Sequence, residues 1–295
     1  MHSRRIITVS VAILIGVLLA AWLGPTLSPY TYDDTGFAPL APPSAAHWFG
    51  TDANGRDVLT RALCGARISL LVGAVGALVS LSVGVCYGMV SSQLGGKADG
   101  VMMRLVDILY SLPRLVIVIL LISVLDEKFK ILLGGWHLPL LREYSRLLLL
   151  FAGLGLVEWL TMARIVRGQV LTLKERQFVQ AALALGQSRW RVMCRHLLPN
   201  LSGVILVYLT LTIPAVILEE SFLSFLGLGV QAPQASWGTL LSEGAGFINP
   251  IETAWWLLAG PGLLIAVTLL ALNFLGDALR DRCDPRTLTF LRRRR

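Results

Sequence analysis

Six long blocks of apolar residues alternate with polar, glycine-rich or basic stretches along the 295-residue chain. Each block approaches the roughly 20 residues that an α-helix needs to cross a bilayer. Only helices and closed barrels satisfy every backbone hydrogen bond within lipid. The pattern therefore predicts an all-α integral membrane protein with six transmembrane helices, at approximate limits 6–24, 68–91, 102–125, 147–163, 201–226 and 255–276.

The composition supports a membrane protein, since 55% of the residues are hydrophobic and only 15% are charged. Soluble domains carry about 25% charged residues. The net charge of +8 comes from short basic segments between the apolar blocks, which membrane topology explains better than a nucleic-acid partner. The four cysteines and four histidines are scattered, so we expect no disulfide framework, no metal site and no bound cofactor.

The distribution of Lys and Arg predicts the orientation. With the N-terminus inside, the inner segments 1–5, 91–104, 164–199 and 277–295 hold 18 of the 26 basic residues, so both termini are expected in the cytoplasm. Arg4-Arg5 and an apolar run ending near Ala20-Ala21 also resemble a cleavable signal peptide. Cleavage would leave five spans and put the two most basic segments on opposite sides, so we favour an uncleaved first helix.

An exported segment, 25–66, joins the first two predicted spans. Its stretch Gly50–Asp57 resembles a calcium loop but does not follow the glycine and glutamate spacing of an EF-hand. We interpret it as a turn into a helix capped by Asp57. The apolar face of that helix lies beside Arg61 and Arg67, which predicts an interfacial helix at the outer membrane surface.

The basic stretch 164–199 predicts a helix–glycine–helix elbow. Its first helix would end at Gly186, and its second would end at Pro199-Asn200. A small-residue face flanked by arginines suits the docking of a cytoplasmic partner, although a helix lying on lipid headgroups fits the pattern equally. The expected faces are Phe178, Ala181, Ala182 and Leu185 on the first helix, and Trp190, Met193 and Leu197 on the second.

The sequence of this elbow resembles the EAA loop of ABC importer permeases. The similar residues are QAALALG at 180–186 and RHLLPN at 195–200. The form is that of the dipeptide/oligopeptide/nickel subfamily, in particular its second (C-type) permease subunit. The resemblance extends in register over about 47–286, with matching stretches at 49–73, 103–113, 163–186, 221–233, 235–244 and 273–286.

The resemblance implies a type I permease fold in a bacterial inner membrane, with the elbow as a coupling helix seated in a separate ATPase. It also implies a homologous B-type permease subunit, two ABC ATPases and an extracytoplasmic solute-binding protein as partners, beside membrane lipid. Peptides are the expected cargo, with nickel complexes or small glycoconjugates as alternatives. The coupling residues it implies are Phe178, Gln180, Ala181, Ala182, Leu185, Gly186, Trp190, His196 and Pro199.

Three segments follow from this assignment. Residues 1–66 would hold the first helix and the exported segment, 67–280 the permease domain, and 281–295 a basic cytoplasmic tail. Two features depart from the subfamily. Gln180 replaces the acidic residue that names the loop, which predicts a weaker ionic contact with the ATPase. The segment 126–146 is longer and more charged than expected, and is interpreted as an extra outer element.

The chain is not expected to hydrolyse ATP, because no phosphate-binding loop is present. The nearest stretch, Gln93–Ala98, lacks the required first glycine and the hydroxyl residue after the lysine. ATP would be bound by the partner subunits.

Four acidic residues fall inside apolar spans, where charge is costly and usually functional. Each either lines the translocation pathway, where it could meet a substrate amine, or braces neighbouring helices. For Glu220 both remain open, whereas Asp107 is better explained as a brace. Glu219 and Glu158 are departures from the subfamily pattern. The four candidates are Asp107, Glu158, Glu219 and Glu220.

Other features bear on gating and docking. Pro113 and Pro214 are expected to kink or break their helices. The outer loop 227–238 is a candidate surface for the solute-binding protein by family analogy.

Two rival functions can be weighed. A secondary transporter would need no ATPase, but it is disfavoured by the basic elbow and by the absence of evident inverted repeats. A membrane scaffold without transport would have no need of buried acids beside kinking prolines.

Overall fold

The computed structural model describes residues 2–135, 145–231, 234–248 and 253–283. This part of the chain is helical, with helices separated by turns and by the irregular segment 28–57. It also contains a π-helical turn, Met193–Leu197. The helices are α1 (His2–Leu27), α2 (Val58–Leu94), α3 (Gly96–Ser111), α4 (Arg114–Gly135), α5 (Ser145–Lys174), α6 (Gln177–Ala184), α7 (Arg189–Val192), α8 (Leu198–Phe225), α9 (Trp237–Ala245) and α10 (Trp256–Cys283).

The all-α membrane fold is confirmed. In the described part, α1, α2, α5, α10 and the continuous run Arg189–Phe225 are each long and apolar enough to cross a membrane. The bent pair α3 and α4 makes a sixth span if it is counted as one. Six spans are therefore consistent with the structure.

Helix α2 begins ten residues before the predicted span. The carboxylate of Asp57 caps it by accepting a hydrogen bond from the Thr60 backbone N–H at 2.8 Å, and the helix then runs on to Gly95, which has φ +64°. The expected interfacial helix therefore does not form separately. It is the first part of α2, so the boundary that we placed after residue 66 falls inside this helix.

The third predicted span is broken at Pro113. Leu112 takes an extended conformation with ψ 144°, as a residue before proline prefers, and α3 and α4 meet at 89°. Pro214, by contrast, lies inside the continuous helix α8. Residues 126–135 of the predicted outer element continue α4, whereas 136–144 and the tail from 284 onward lie outside the described residues.

Helices α2 and α5 run parallel and approach each other through glycines. A Cβ added at Gly155 would lie 2.6 Å from the Val79 Cβ, and one at Gly84 would lie 2.5 Å from the Met162 Cβ. Small residues at such positions let membrane helices pack closely. The contact supports a buried cluster around Leu150, Leu154 and Val72.

Helix α1 is part of the bundle, with Ala21 buried in a cluster that includes Ile265 and Trp237. Pro25 has no N–H, so the carbonyl of Ala21 lacks its helical donor. The Arg67 Nε donates to that oxygen at 2.6 Å, and a terminal nitrogen of Arg67 donates to the Trp22 carbonyl at 2.8 Å. Arg67 thus repairs the backbone defect and fixes α1 against α2.

We predict that Gly155→Ala destabilises the protein by about 1–3 kcal/mol, because the added methyl group overpacks the contact between α2 and α5. Gly168→Ala is the matched control, since it lies on the same helix with nothing within 4 Å of an added Cβ. The measurement is the free energy of unfolding in detergent micelles. Equal effects of the two substitutions would contradict this packing.

We predict that Arg67→Ala lowers the free energy of unfolding by about 1–3 kcal/mol, since it leaves a carbonyl in α1 without a donor. The cost should shrink by about 1 kcal/mol in a Pro25→Ala background, because the restored N–H can donate to the Ala21 carbonyl. A double-mutant cycle measures this coupling. Identical costs in the two backgrounds would show that Arg67 does not compensate for Pro25.

Candidate functional site

The elbow is built from the end of α5, helix α6 and helix α7. Helix α6 ends in a Schellman motif, in which the Gly186 N–H donates to the Leu183 carbonyl and the Gln187 N–H donates to the Ala182 carbonyl. Gly186 has φ +81°, a conformation that glycine adopts without strain. The predicted helix stop at this glycine is therefore present.

The two sides of α6 differ in burial. Val179 and Ala182 are buried against the bundle, together with Val166 and Val170 of α5. On the other side, Leu185 is 84% exposed, and Phe178 and Ala181 are also exposed. The four residues predicted to share one face therefore divide, because Ala182 packs inward and the other three point outward.

The second helix departs from prediction in a similar way. Val192, Met193 and Leu197 are buried, whereas Trp190 is 55% exposed and does not share their face. This second helix was predicted to end at Pro199-Asn200. It does not end there, because the π-turn continues without a break into α8. Pro199 lies in the first turn of α8, where a missing N–H is tolerated.

Hydrogen bonds fix the elbow internally. The Gln180 side-chain amide donates to the Lys174 carbonyl at 2.8 Å, which satisfies one free carbonyl at the end of α5. A carboxylate could not make this bond, because it has no proton to donate. His196 Nε2 and the Gln187 Oε1 lie 3.0 Å apart, so this hydrogen bond joins the turn after α6 to the π-turn.

A cavity of about 190 Å³ opens beside α6. Its walls include Gln93, Lys174, Gln180 and Arg189. The elbow therefore has an exposed apolar tip and a cavity whose walls include the basic side chains of Lys174 and Arg189. Among the described residues, no group of three or more His, Cys, Asp or Glu side chains is placed to hold a metal.

An ionic network that sequence analysis missed anchors the elbow to the rest of the bundle. Asp99 of α3 accepts two hydrogen bonds from the Arg167 guanidinium, at 2.6 and 2.5 Å, and a third from the Ser91 hydroxyl. Lys174 donates to the Ser92 carbonyl. Bidentate arginine–carboxylate pairs are directional and strong, so the end of α5 is fixed to α2 and α3. The close spacing of Ser91, Ser92 and Asp99 was the available signal, but the partner is 68 residues away.

Glu220 lies in a fully buried brace. Its carboxylate accepts hydrogen bonds from the hydroxyls of Ser224, at 2.7 Å, and Ser69, at 3.1 Å. Ser69 also accepts from the Trp237 N–H, so α2, α8 and α9 are joined at one point. Of the two roles left open for Glu220, these contacts match the brace.

The other three acids lie around the bend between α3 and α4. Arg114 donates to Glu158 at 2.8 Å and lies 3.9 Å from Glu219. Arg164 donates to Asp107 at 2.8 Å, so Asp107 links α3 to α5. The structure thus brings Glu158 and Glu219 together and places Glu220 in a separate network.

The opposite end of the bundle holds a second ionic network. Arg61 donates to Asp52 at 2.7 Å and to both carboxylate oxygens of Glu243, at 2.6 and 3.2 Å. These contacts fix the segment before α2 against α9, a helix that begins with a Ser236–Thr239 capping box. The candidate loop 227–238 lies at this end, and its residues 232 and 233 are outside the described part.

Comparisons with known proteins agree with this architecture. The family described as "Binding-protein-dependent transport system inner membrane component" matches residues 80–289. The chain is 46% identical over 289 residues to the oligopeptide transport system permease protein OppC of Escherichia coli (strain K12), covering 97% of this chain and 88% of the relative. It is 42% identical over 287 residues to the dipeptide transport system permease protein DppC of Bacillus subtilis (strain 168), covering 97% and 83%.

We predict that Asp99→Asn destabilises the protein by about 2 kcal/mol, because it weakens a bidentate pair whose side chains are 11% and 31% exposed. Asp107→Asn, on the same helix, should cost less than about 1 kcal/mol, since that pair is 64% and 38% exposed. Chemical unfolding in detergent compares the two variants. A larger loss from Asp107→Asn would overturn the assignment of Asp99 as the anchor.

Proposed function

The chain belongs to the family of binding-protein-dependent transport system inner membrane components, the permeases of ABC importers, and we propose that it imports peptides by coupling to ATPases through the elbow. Peptide cargo is supported by relatives of nearly full length whose names specify oligopeptide or dipeptide transport. The family makes this chain a transport subunit rather than an enzyme.

The exposed apolar tip of the elbow is the observation that carries the coupling role. Leu185 is 84% exposed, and Phe178 and Trp190 of the same elbow are also exposed. Arg176, Arg189 and Arg191 of the same elbow are also exposed and add positive charge. An apolar centre within a polar rim is the usual form of a protein interface. Exposure of such a tip to water is unfavourable, and docking in a cleft of a separate ATPase would remove that exposure.

The elbow can transmit motion because both of its ends continue into spanning helices. Asp99 and Arg167 hold the end of α5, and the π-turn leads into α8. Closure of two ATPases on nucleotide would move the elbow, and α5 and α8 would move with it as a rigid unit. Rigid-body rocking of this kind produces alternating access.

The proposed assembly contains this chain, a homologous B-type permease, two ATPases and an extracytoplasmic solute-binding protein. The elbow end faces the cytoplasm, as do both termini, which is the orientation that the basic segments favour. The Arg61 end then faces outward and includes the candidate surface for the binding protein. We propose no bound cofactor in this chain, because ATP would bind to the partner subunits.

The test is co-purification of the tagged chain with its candidate ATPases in detergent. Leu185→Asp should lower ATPase recovery at least about tenfold, because an interface hot spot contributes 2 kcal/mol or more. Leu185→Met keeps the apolar volume and should retain the ATPases.

Unchanged ATPase recovery with Leu185→Asp would contradict the coupling role of the elbow. Substrate uptake that proceeds without any ATPase would instead favour the secondary transporter. The membrane fraction of each variant is measured in parallel, so that a failure of insertion is recognised.

A further inference from the structure

Glu219 is the least satisfied acid in the described spans. Its Oε2 is buried and has no hydrogen-bond partner, and its Oε1 lies 3.9 Å from the nearest Arg114 nitrogen, which is beyond hydrogen-bonding distance. The neighbouring Glu220 accepts bonds from three serine hydroxyls. A carboxylate within a span is costly when it has no hydrogen-bond donor. The position of Glu219 therefore requires an explanation, whereas the serine hydroxyls already account for Glu220.

Arg114 is already committed to other groups. One of its terminal nitrogens donates to Glu158 at 2.8 Å, and the other donates to the Tyr110 hydroxyl at 3.0 Å. The guanidinium also lies over the Tyr110 ring, 5.1 Å from its centroid. Glu158 therefore takes most of the available positive charge, and the three groups Arg114, Glu158 and Glu219 retain an excess of one negative charge when both acids are ionised.

The cluster opens to one side of the bundle. Arg114 is 36% exposed and Glu219 is 18% exposed, and the pair Asp107 and Arg164 is exposed next to them. Lipid cannot cover so many charges within spanning segments, because charged groups there face water-filled cavities or other polar protein. A translocation pathway on this side of the bundle would meet that requirement.

We infer that Glu219 is a pathway contact for the ammonium or guanidinium group of basic side chains in the transported peptide. Such a cation would supply the donor that the Glu219 carboxylate lacks, while Arg114 stays bound to Glu158. The inference rests on the proposed function, and it makes this permease favour basic cargo during passage, independently of selection by a binding protein.

The test uses the full transporter reconstituted in proteoliposomes, with ATP-dependent uptake of Ala-Lys-Ala and Ala-norleucine-Ala as probes. These peptides have the same length and differ in one side-chain charge. Each variant is compared with wild type for each peptide, so the intrinsic preference of the binding protein cancels. Glu219→Gln should lower relative uptake of the lysine peptide about tenfold and change the norleucine peptide less than about twofold.

Two further variants complete the test. Glu219→Asp keeps the charge and should restore most of the preference for the lysine peptide. Glu127→Gln neutralises an exposed acid on α4 outside the cluster and should leave the preference unchanged.

Equal loss of both peptides in Glu219→Gln would make Glu219 a structural residue and overturn the inference, as would no change in either. The same loss of preference in Glu127→Gln would also overturn it, by showing a nonspecific charge effect. Absence of ATP-dependent uptake of either peptide by the wild-type transporter would contradict the proposed function itself. The failures of the two proposals are therefore distinguishable.

Discussion

The parallel contact between α2 and α5 is the constraint on which the remaining structure depends. Glycines let the two backbones approach until an added Cβ at Gly88 would lie 2.5 Å from the Ala163 carbonyl oxygen. Within lipid, close packing of this kind replaces the hydrophobic effect as the source of helix association. Because both helices extend from one end of the bundle to the other, their contact sets the distance between the Arg61 network and the Asp99 network. The elbow follows the end of α5, so the contact between α2 and α5 also sets the position of the elbow.

Polar side chains add to this packing by forming hydrogen bonds with backbone or charged groups that would otherwise have no partner. Arg67 donates to a carbonyl that Pro25 leaves free, and Gln180 donates to a free carbonyl at the end of α5. Glu220 joins three helices through serine hydroxyls. Glu219 differs, since it has no such partner within the described chain. Among the described residues, atoms of six other buried side chains also lack a hydrogen bond. Glu219 differs from them as a carboxylate within a span with neither oxygen hydrogen-bonded, so it is open to a donor from another molecule.

Sequence analysis predicted the class of fold because the bilayer allows few alternatives. Apolar blocks give the spans, and the glycine at 186 gives the elbow, since both are local signals. The helix start after Asp57 was predicted, but its continuity with the second span was missed, because a break was assumed between an interfacial helix and the apolar block. The division of α6, with Ala182 inward and Leu185 outward, could not be predicted from spacing, because both residues are small or apolar. The pairing of Asp99 with Arg167 could not be predicted, because the two residues are 68 positions apart and meet only through tertiary contact.

Cysteine cross-linking tests the central claim that the elbow tip contacts the ATPase on the cytoplasmic side. In a chain without its four native cysteines, Leu185→Cys should form a cross-linked product with an ATPase subunit when a short reagent that joins a thiol to a lysine amine is added to the assembled transporter. Trp48→Cys is the matched control, since Trp48 is exposed and lies at the Arg61 end. The account predicts cross-linking from position 185 and none from position 48. Cross-linking from position 48 alone would place the ATPases at the opposite end of the bundle and contradict the account.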